Sequence, residues 1–273
     1  MFDELNVEWM DSYEETYRKY KKQWDFHYEK IREFIQKSID QPIKNFGFIG
    51  VTKTIPELNQ SILEKVEKIT LIDIHEEILD EARNYLENKY GYTKVETMIL
   101  DNTLGYLDQA YKIFIEFQNK TINENEALEQ LRSLEYPTSN HLQEMFDFVA
   151  HIGILDFYFM PLFMKYCKHF EHNYEEFFHI MKKLNDDAVK ITLDVLNNII
   201  HRGSLIISTP VTRIPEGEKC NQSLFWLQSI EKHLEENDFI ILKKTEHLWE
   251  EFPEKAGHAH TVLNVKCKKI NKK

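Results

Sequence analysis

Ile69-Thr70-Leu71-Ile72-Asp73-Ile74, followed directly by a helical stripe of Ile78, Leu79, Ala82, Tyr85 and Leu86 within Glu76 to Tyr90, decides how this chain folds. A short apolar run ending on an acid reads as a buried strand, and apolar residues three and four apart read as one face of a helix. On the upstream side, Asn45-Phe46-Gly47-Phe48-Ile49-Gly50-Val51 is another buried strand. Thr54-Ile55-Pro56-Glu57 then gives a Thr cap, an early proline and a Glu three residues on, the pattern of a capping-box helix start. That helix is expected to turn Leu58, Ile62, Leu63 and Val66 inward. On the downstream side, Val95-Glu96-Thr97-Met98-Ile99-Leu100-Asp101 is a third strand, again ending on Asp. Strand, helix, strand, helix, strand at this spacing predicts βαβ units and a parallel sheet.

Farther out, regularity breaks between Leu104 and Met145, where Tyr106 to Asn119 and Glu124 to Leu134 read as an inserted pair of helices. Phe146-Asp147-Phe148-Val149-Ala150-His151-Ile152 resumes the sheet, and residues 157–201 are almost continuously helical with a break near His172-Asn173. Gly203 to Pro210, Phe239 to Leu242 and Thr261 to Val265 read as three more strands, with a helix over Ser223 to Asn237. The last two strands lack a helical crossover and are expected to pair antiparallel. At the front, Tyr13, Tyr17, Tyr20, Trp24, Tyr28, Ile31 and Ile35 form one face of a long helix that stops near Pro42. The division expected is an N-terminal helical segment over 1–44, able to act as a lid, and an α/β domain over 45–273. Helical insertions fall at about 104–145 and 157–201.

This order resembles the class I S-adenosylmethionine-dependent methyltransferases. The resemblance is carried by Leu71-Ile72-Asp73-Ile74 with the helix reading Ile78-Leu79-Asp80-Glu81-Ala82-Arg83, by Asp101-Asn102, by Phe146 to His151, by Arg202 to Ile207 and by Asn237-Asp238-Phe239-Ile240. It implies an α/β, Rossmann-like, seven-stranded, mostly parallel sheet with an antiparallel last strand. It also implies S-adenosylmethionine as cofactor, with Asp73 on the ribose hydroxyls, Asp101 facing the adenine amino group, and Gly50, Thr52, Ile74 and Asn102 around them. One motif departs from the family. The glycine-rich first loop reads Phe48-Ile49-Gly50-Val51-Thr52-Lys53-Thr54, so one glycine remains, two threonines replace the others, and Phe48 stands in place of an acid. Threonine side chains narrow a loop in which glycine lets backbone approach a ligand.

Composition narrows the function further. Thirty-four basic against 46 acidic residues give a net charge of −12, which argues against a nucleic-acid surface, since phosphate binding needs a positive field. Cys167, Cys220 and Cys267 have no paired spacing, so neither a disulfide framework nor a zinc ribbon is expected. No apolar run reaches the ~20 residues of a membrane span, and the acidic start fits neither a secretory signal nor a transit peptide. A cytoplasmic protein is expected, with no nucleic-acid or membrane partner.

His151, beyond the fourth strand, is the first candidate to move a proton, because free imidazole titrates near neutral pH. Asp147 and Asp156 are the others. His169, His172, Glu176 and His179 share a helical spacing, and His258 and His260 a strand spacing, but ligands on one element rarely enclose an ion and no metal is expected. The leading expectation is a methyltransferase acting on a small molecule enclosed under the helical additions, with a homodimer possible. Aminocarboxypropyl transfer on the same fold is the enzymatic alternative. A non-catalytic scaffold is the rival, motivated by the altered loop.

Overall fold

The computed structural model describes residues 15–139, 142–153, 155, 158–170, 172–214, 230–250 and 259–270. In chain order the elements are α1 (Lys21–Ser38), β1 (Ile43–Ile49), α2 (Gln60–Leu63), β2 (Val66–Asp73), α3 (Glu76–Tyr90), β3 (Val95–Ile99), α4 (Tyr106–Gln118) and α5 (Glu124–Arg132). Then follow β4 (Phe146–Ile152), α6 (Met160–Tyr166), α7 (Tyr174–Ile199), β5 (Ile200–Ile214), α8 (Ile230–Glu236), β6 (Phe239–Glu250) and β7 (Ala259–Lys269). One seven-stranded sheet runs β3-β2-β1-β4-β5-β7-β6. The pairs among β1 to β5 are parallel, and β7 lies antiparallel between β5 and β6. This is the topology of a Rossmann-like methyltransferase fold.

Alternation along the strands gives the sheet two buried faces. Phe148, Ala150 and Ile152 of β4 face the layer of α1, α2 and α3, where Trp24, Ile31 and Ile62 are almost fully buried. Phe146 and Val149 face the other layer, α4 to α8. That layer is rich in rings: Phe170 stacks on Phe177 with centroids 4.3 Å apart, and Phe114 on Tyr166 at 4.6 Å. The inserted helices form where their spacing predicts. A complete capping box starts α5, Asn123 accepting from the Glu126 amide and Glu126 from the Asn123 amide.

Several expectations are corrected. No helix starts at Thr54: α2 begins at Gln60, where Asn59 caps it by accepting from the Ile62 amide at 3.0 Å. Between them Ile55 holds φ +35°, a strained value for a β-branched residue. Arg32 takes the Pro56 carbonyl and the Tyr90 hydroxyl the Leu58 carbonyl, while the Thr52 and Ile55 carbonyls accept from amides three residues on, so the segment makes turns and not a helical ladder. β5 starts before its expected turn, absorbing Arg202 as a bulge at φ +50°. There Gly203 lies so close to β4 that a Cβ would sit 2.0 Å from the Asp147 carbonyl oxygen. β6 and β7 run well past the short strands expected. The aromatic stripe of α1, from Trp24 to Ile35, is core packing; Tyr13 lies outside the described residues.

Candidate functional site

The strand order fixes where a ligand crevice must lie. From β1 the chain goes to one side for β2 and β3, then returns to the other side for β4, so the order reverses between β1 and β4. Open α/β sheets bind ligands beyond the carboxyl ends of the strands at such a point. Ile49 pairs with His151 across β1 and β4, which sets Gly50 beside the end of β4. Gly50 holds φ +88°, a conformation that favours glycine.

Asp73, ending β2, is half-buried. Its Oδ1 accepts from the Ile74 amide at 2.8 Å and the His75 amide at 3.1 Å, and the Val51 amide also faces the carboxylate. Burial pushes its pKa upward, against the pull of these amides and of His75. Asp101 follows β3 and closes its own turn. Oδ1 accepts from the Thr103 amide and hydroxyl, both at 2.7 Å, and Oδ2 from the Gly105 amide at 2.6 Å. Both aspartates therefore brace the loops that border the crevice.

His151 is fully buried, and burial lowers its pKa to about 4. The ring is thus neutral at physiological pH and a weak base. Its Nε2 lies 3.4 Å from the Tyr158 hydroxyl, which is 2.9 Å from the Thr192 hydroxyl on α7; that hydroxyl in turn reaches the Asn102 carbonyl at 3.3 Å. Two hydroxyl groups thus join the end of β4 to the loop after β3. Burial raises the Tyr158 pKa, and the charges of Asp101 and Asp73 add to the rise, so this phenol stands among the crevice carboxylates. Thr52 Oγ1, Asn102 Oδ1, His151 Nδ1 and Asn185 Nδ2 are buried polar atoms without a hydrogen-bond partner among the described residues. Such atoms cost ~1–3 kcal/mol each when unsatisfied, and those of Thr52, Asn102 and His151 belong to the carboxyl ends of β1, β3 and β4 or the loops just after them.

Asp147 does not join this group. It is the second residue of β4, at the amino end of the strand, where its carboxylate accepts from the Asn45 amide at 3.0 Å. Asp156 lies outside the described residues. His169 sits on a 3-10 turn, separated from α7 by Phe170 to Asn173, so it does not share a helix face with Glu176 and His179; Glu176 pairs with Arg132. His258 is outside the described residues, and His260 is buried on β7. Among the described residues no group of three or more His, Cys, Asp or Glu is placed to hold a metal, and no helix is long and apolar enough to cross a membrane. Tyr158, Thr192 and Asn185 were not legible as site residues, because nothing in local sequence ties them to His151.

No family model and no curated protein matches the chain. Solved structures of the same topology do. A S-adenosylmethionine-dependent methyltransferase from Clostridium acetobutylicum aligns over 89% of this chain and 92% of its own, with 12% identity and a TM-score of 0.47. One from Aquifex aeolicus aligns over 86% and 88%, with 12% identity and a TM-score of 0.45. The [4+2]-cyclase SpnF aligns over 90% and 81%, with 13% identity and a TM-score of 0.47. The fold rests on the strand order itself.

The crevice fits the adenosine half of S-adenosylmethionine better than the methionine half. Thr52 Oγ1 and Asn102 Oδ1, on the loops after β1 and β3, are buried without a partner among the described residues, and Gly50 turns at φ +88°. At the other end Phe48 is fully buried in the core and offers no charge to an ammonium group.

Proposed function

We propose that the protein is a S-adenosylmethionine-dependent transferase that methylates a small molecule. The observation that carries this reading is the set of unpartnered buried atoms Thr52 Oγ1, Asn102 Oδ1 and His151 Nδ1 at the β1/β4 reversal. Gly50, Thr52, Asp73, Ile74, Asp101 and Asn102 would hold the cofactor, which supplies an electrophilic methyl group on a sulfonium when bound. His151 would orient the acceptor's nucleophilic atom: a neutral imidazole with a pKa near 4 forms a directional hydrogen bond but takes a proton poorly. Tyr158 and Thr192 would hold that ring in place. Alignment of nucleophile and electrophile alone supplies much of the acceleration in such a transfer. The acidic net charge and the helical layer of α4 to α7 favour an enclosed small acceptor over a polyanion.

Calorimetry with S-adenosylmethionine and S-adenosylhomocysteine tests the reading. Micromolar binding of either is the expected result, and no binding at millimolar ligand sinks it. The second reading, a non-catalytic scaffold of this fold, is favoured by one observation: the carboxylates of Asp73 and Asp101 already accept from backbone amides of their own loops.

A further inference from the structure

On the opposite face of the sheet from the Tyr158 chain, α1 is fastened to the β6–β7 pair by two histidines, His27 buried and His247 half-buried. His27 Nδ1 of α1 lies 2.9 Å from His247 Nε2 of β6, and His247 Nδ1 lies 3.0 Å from the Asn264 side-chain amide of β7. His27 also stacks on Trp249, with centroids 4.2 Å apart and planes within 12°. Trp24 meets Trp249 edge-on at 5.2 Å. A contact between two ring nitrogens holds one proton, whichever way the Asn264 amide is turned. Two neutral imidazoles carry two N–H groups in all, one in the contact and one on an outer nitrogen; a third proton makes one ring a cation. Fully protonating both rings sets N–H against N–H.

The charged and titratable groups around the pair all oppose protonation. From α1, Lys30 acts on His247, and His247 of β6 and His260 of β7 both act on His27. Tyr28 on α1, Trp249 on β6 and Asn264 on β7 are uncharged neighbours. No carboxylate among the described residues acts on either ring. β6 runs parallel to β5, both being antiparallel to β7, so its Trp249 end lies at the same edge of the sheet as the crevice.

We infer that the His27–His247 pair is an acid-released clasp: α1 is docked while both rings are neutral and lets go as they take up protons. Burial holds both rings below the ordinary range of histidine, His247 at about 4. Once α1 is undocked, both rings return to solvent and titrate near ~6.5. Undocking therefore takes up protons, and its equilibrium constant rises roughly tenfold per histidine between pH 7.5 and 5.5. The device is independent of what the crevice binds, and it would make the edge beside Trp249 accessible in acid.

Hydrogen exchange on the full chain, with α1 amides normalised to those of α7, tests this. Protection of α1 should fall by about tenfold to a hundredfold from pH 7.5 to 5.5, and a His27→Asn/His247→Gln double variant should lose that pH dependence. Constant protection of α1 in the unmodified protein overturns the clasp, as does an unchanged pH dependence in the variant. Should the variant fail to fold, ring-proton titration of the unmodified protein decides. Midpoints below ~6 for both rings support the clasp, and an ordinary midpoint near ~6.5 for either overturns it.

Discussion

His151 at the crevice and His27 with His247 under α1 are neutral histidines shielded from solvent, and they differ in what each ring touches. At the β1/β4 reversal, His151 leans on the hydroxyl of Tyr158 and leaves Nδ1 without a partner among the described residues. Under α1, His27 and His247 spend their facing nitrogens on each other, and Asn264 takes the outer nitrogen of His247. Burial pushes the pKa of His151 and of His247 to about 4, so acidity does not separate them. Partnership does. His151 keeps a spare nitrogen of its own, whereas the facing nitrogens of His27 and His247 join two elements and the spare polar atoms there belong to Trp249 and Asn264. The lesson is that a shifted pKa identifies burial, and the bonding around the ring identifies purpose.

The clasp region is therefore where substitution should cost the most stability. Trp24 is fully buried against Trp249 and Tyr28, and Trp24→Ala should destabilise the protein by ~3–5 kcal/mol through lost burial and the cavity left behind. Urea denaturation followed by far-UV dichroism measures it. A loss below ~1 kcal/mol would mean that α1 contributes little to the fold, and the contrast between a structural and a ligand-facing histidine site would collapse.

Next in size is Glu57, buried in the irregular segment below α1. Burial raises its pKa to about 7, opposed by the Arg32 guanidinium, and one carboxyl oxygen lacks a partner. A carboxyl with a raised folded pKa favours the folded state below its unfolded value and loses that advantage as pH climbs through the folded one. Glu57→Gln should thus stabilise the protein at pH 8 by roughly 2–3 kcal/mol and change little at pH 4. Equal stability of the two proteins at pH 8 would show the carboxyl to be paired or solvated there.

These features also show what the sequence conveyed and what it withheld. The β2–α3 unit was legible because its signal is local: an apolar run, then Ile78, Leu79, Ala82 and Leu86 at helical spacing, all four buried. Gly50, Asp73 and Asp101 followed from their places at strand ends. The long outer strand β6 was not legible past Leu242. It is an edge strand that turns charged from Lys243 to Glu246, beyond the apolar run on which its reading rested. The false helix start at Thr54 satisfied every local rule; Arg32 and Tyr90, distant in sequence, take the Pro56 and Leu58 carbonyls, and the Thr52 and Ile55 carbonyls close turns. His27 was overlooked within a face read from its tyrosines and tryptophan, and its partner lies 220 residues away.

At the crevice the expected effects are on binding. If Asp73 meets a ribose, Asp73→Ala should weaken nucleoside affinity by ~1.5–3 kcal/mol, the range for hydrogen bonds to a charged acceptor. Titration calorimetry with S-adenosylhomocysteine reads this. Unchanged affinity would assign the carboxylate wholly to the Ile74 and His75 amides and would make the reversal point as purely structural as the clasp.

The smallest effect is the sharpest test of the comparison. A histidine whose folded pKa is lowered contributes stability above its unfolded value of ~6.5, and that contribution drains away as pH falls toward the folded value. His151 and His247, both near 4, should each remove ~1 kcal/mol between pH 7 and 5.5. The figure for His247 is the lower of the two, because its ring is partly solvated and screened. His151→Gln and His247→Gln should each flatten the pH dependence of stability by that amount, and on this measurement the two sites look alike. Saturating S-adenosylhomocysteine should separate them. A ligand that bonds to His151 Nδ1 changes the proton affinity of that ring, so its presence should alter the pH slope in the unmodified protein and in His247→Gln but not in His151→Gln. A ligand effect on slope that survives His151→Gln would place the ligand elsewhere and leave His151, like His27 and His247, a ring whose work is to hold the fold.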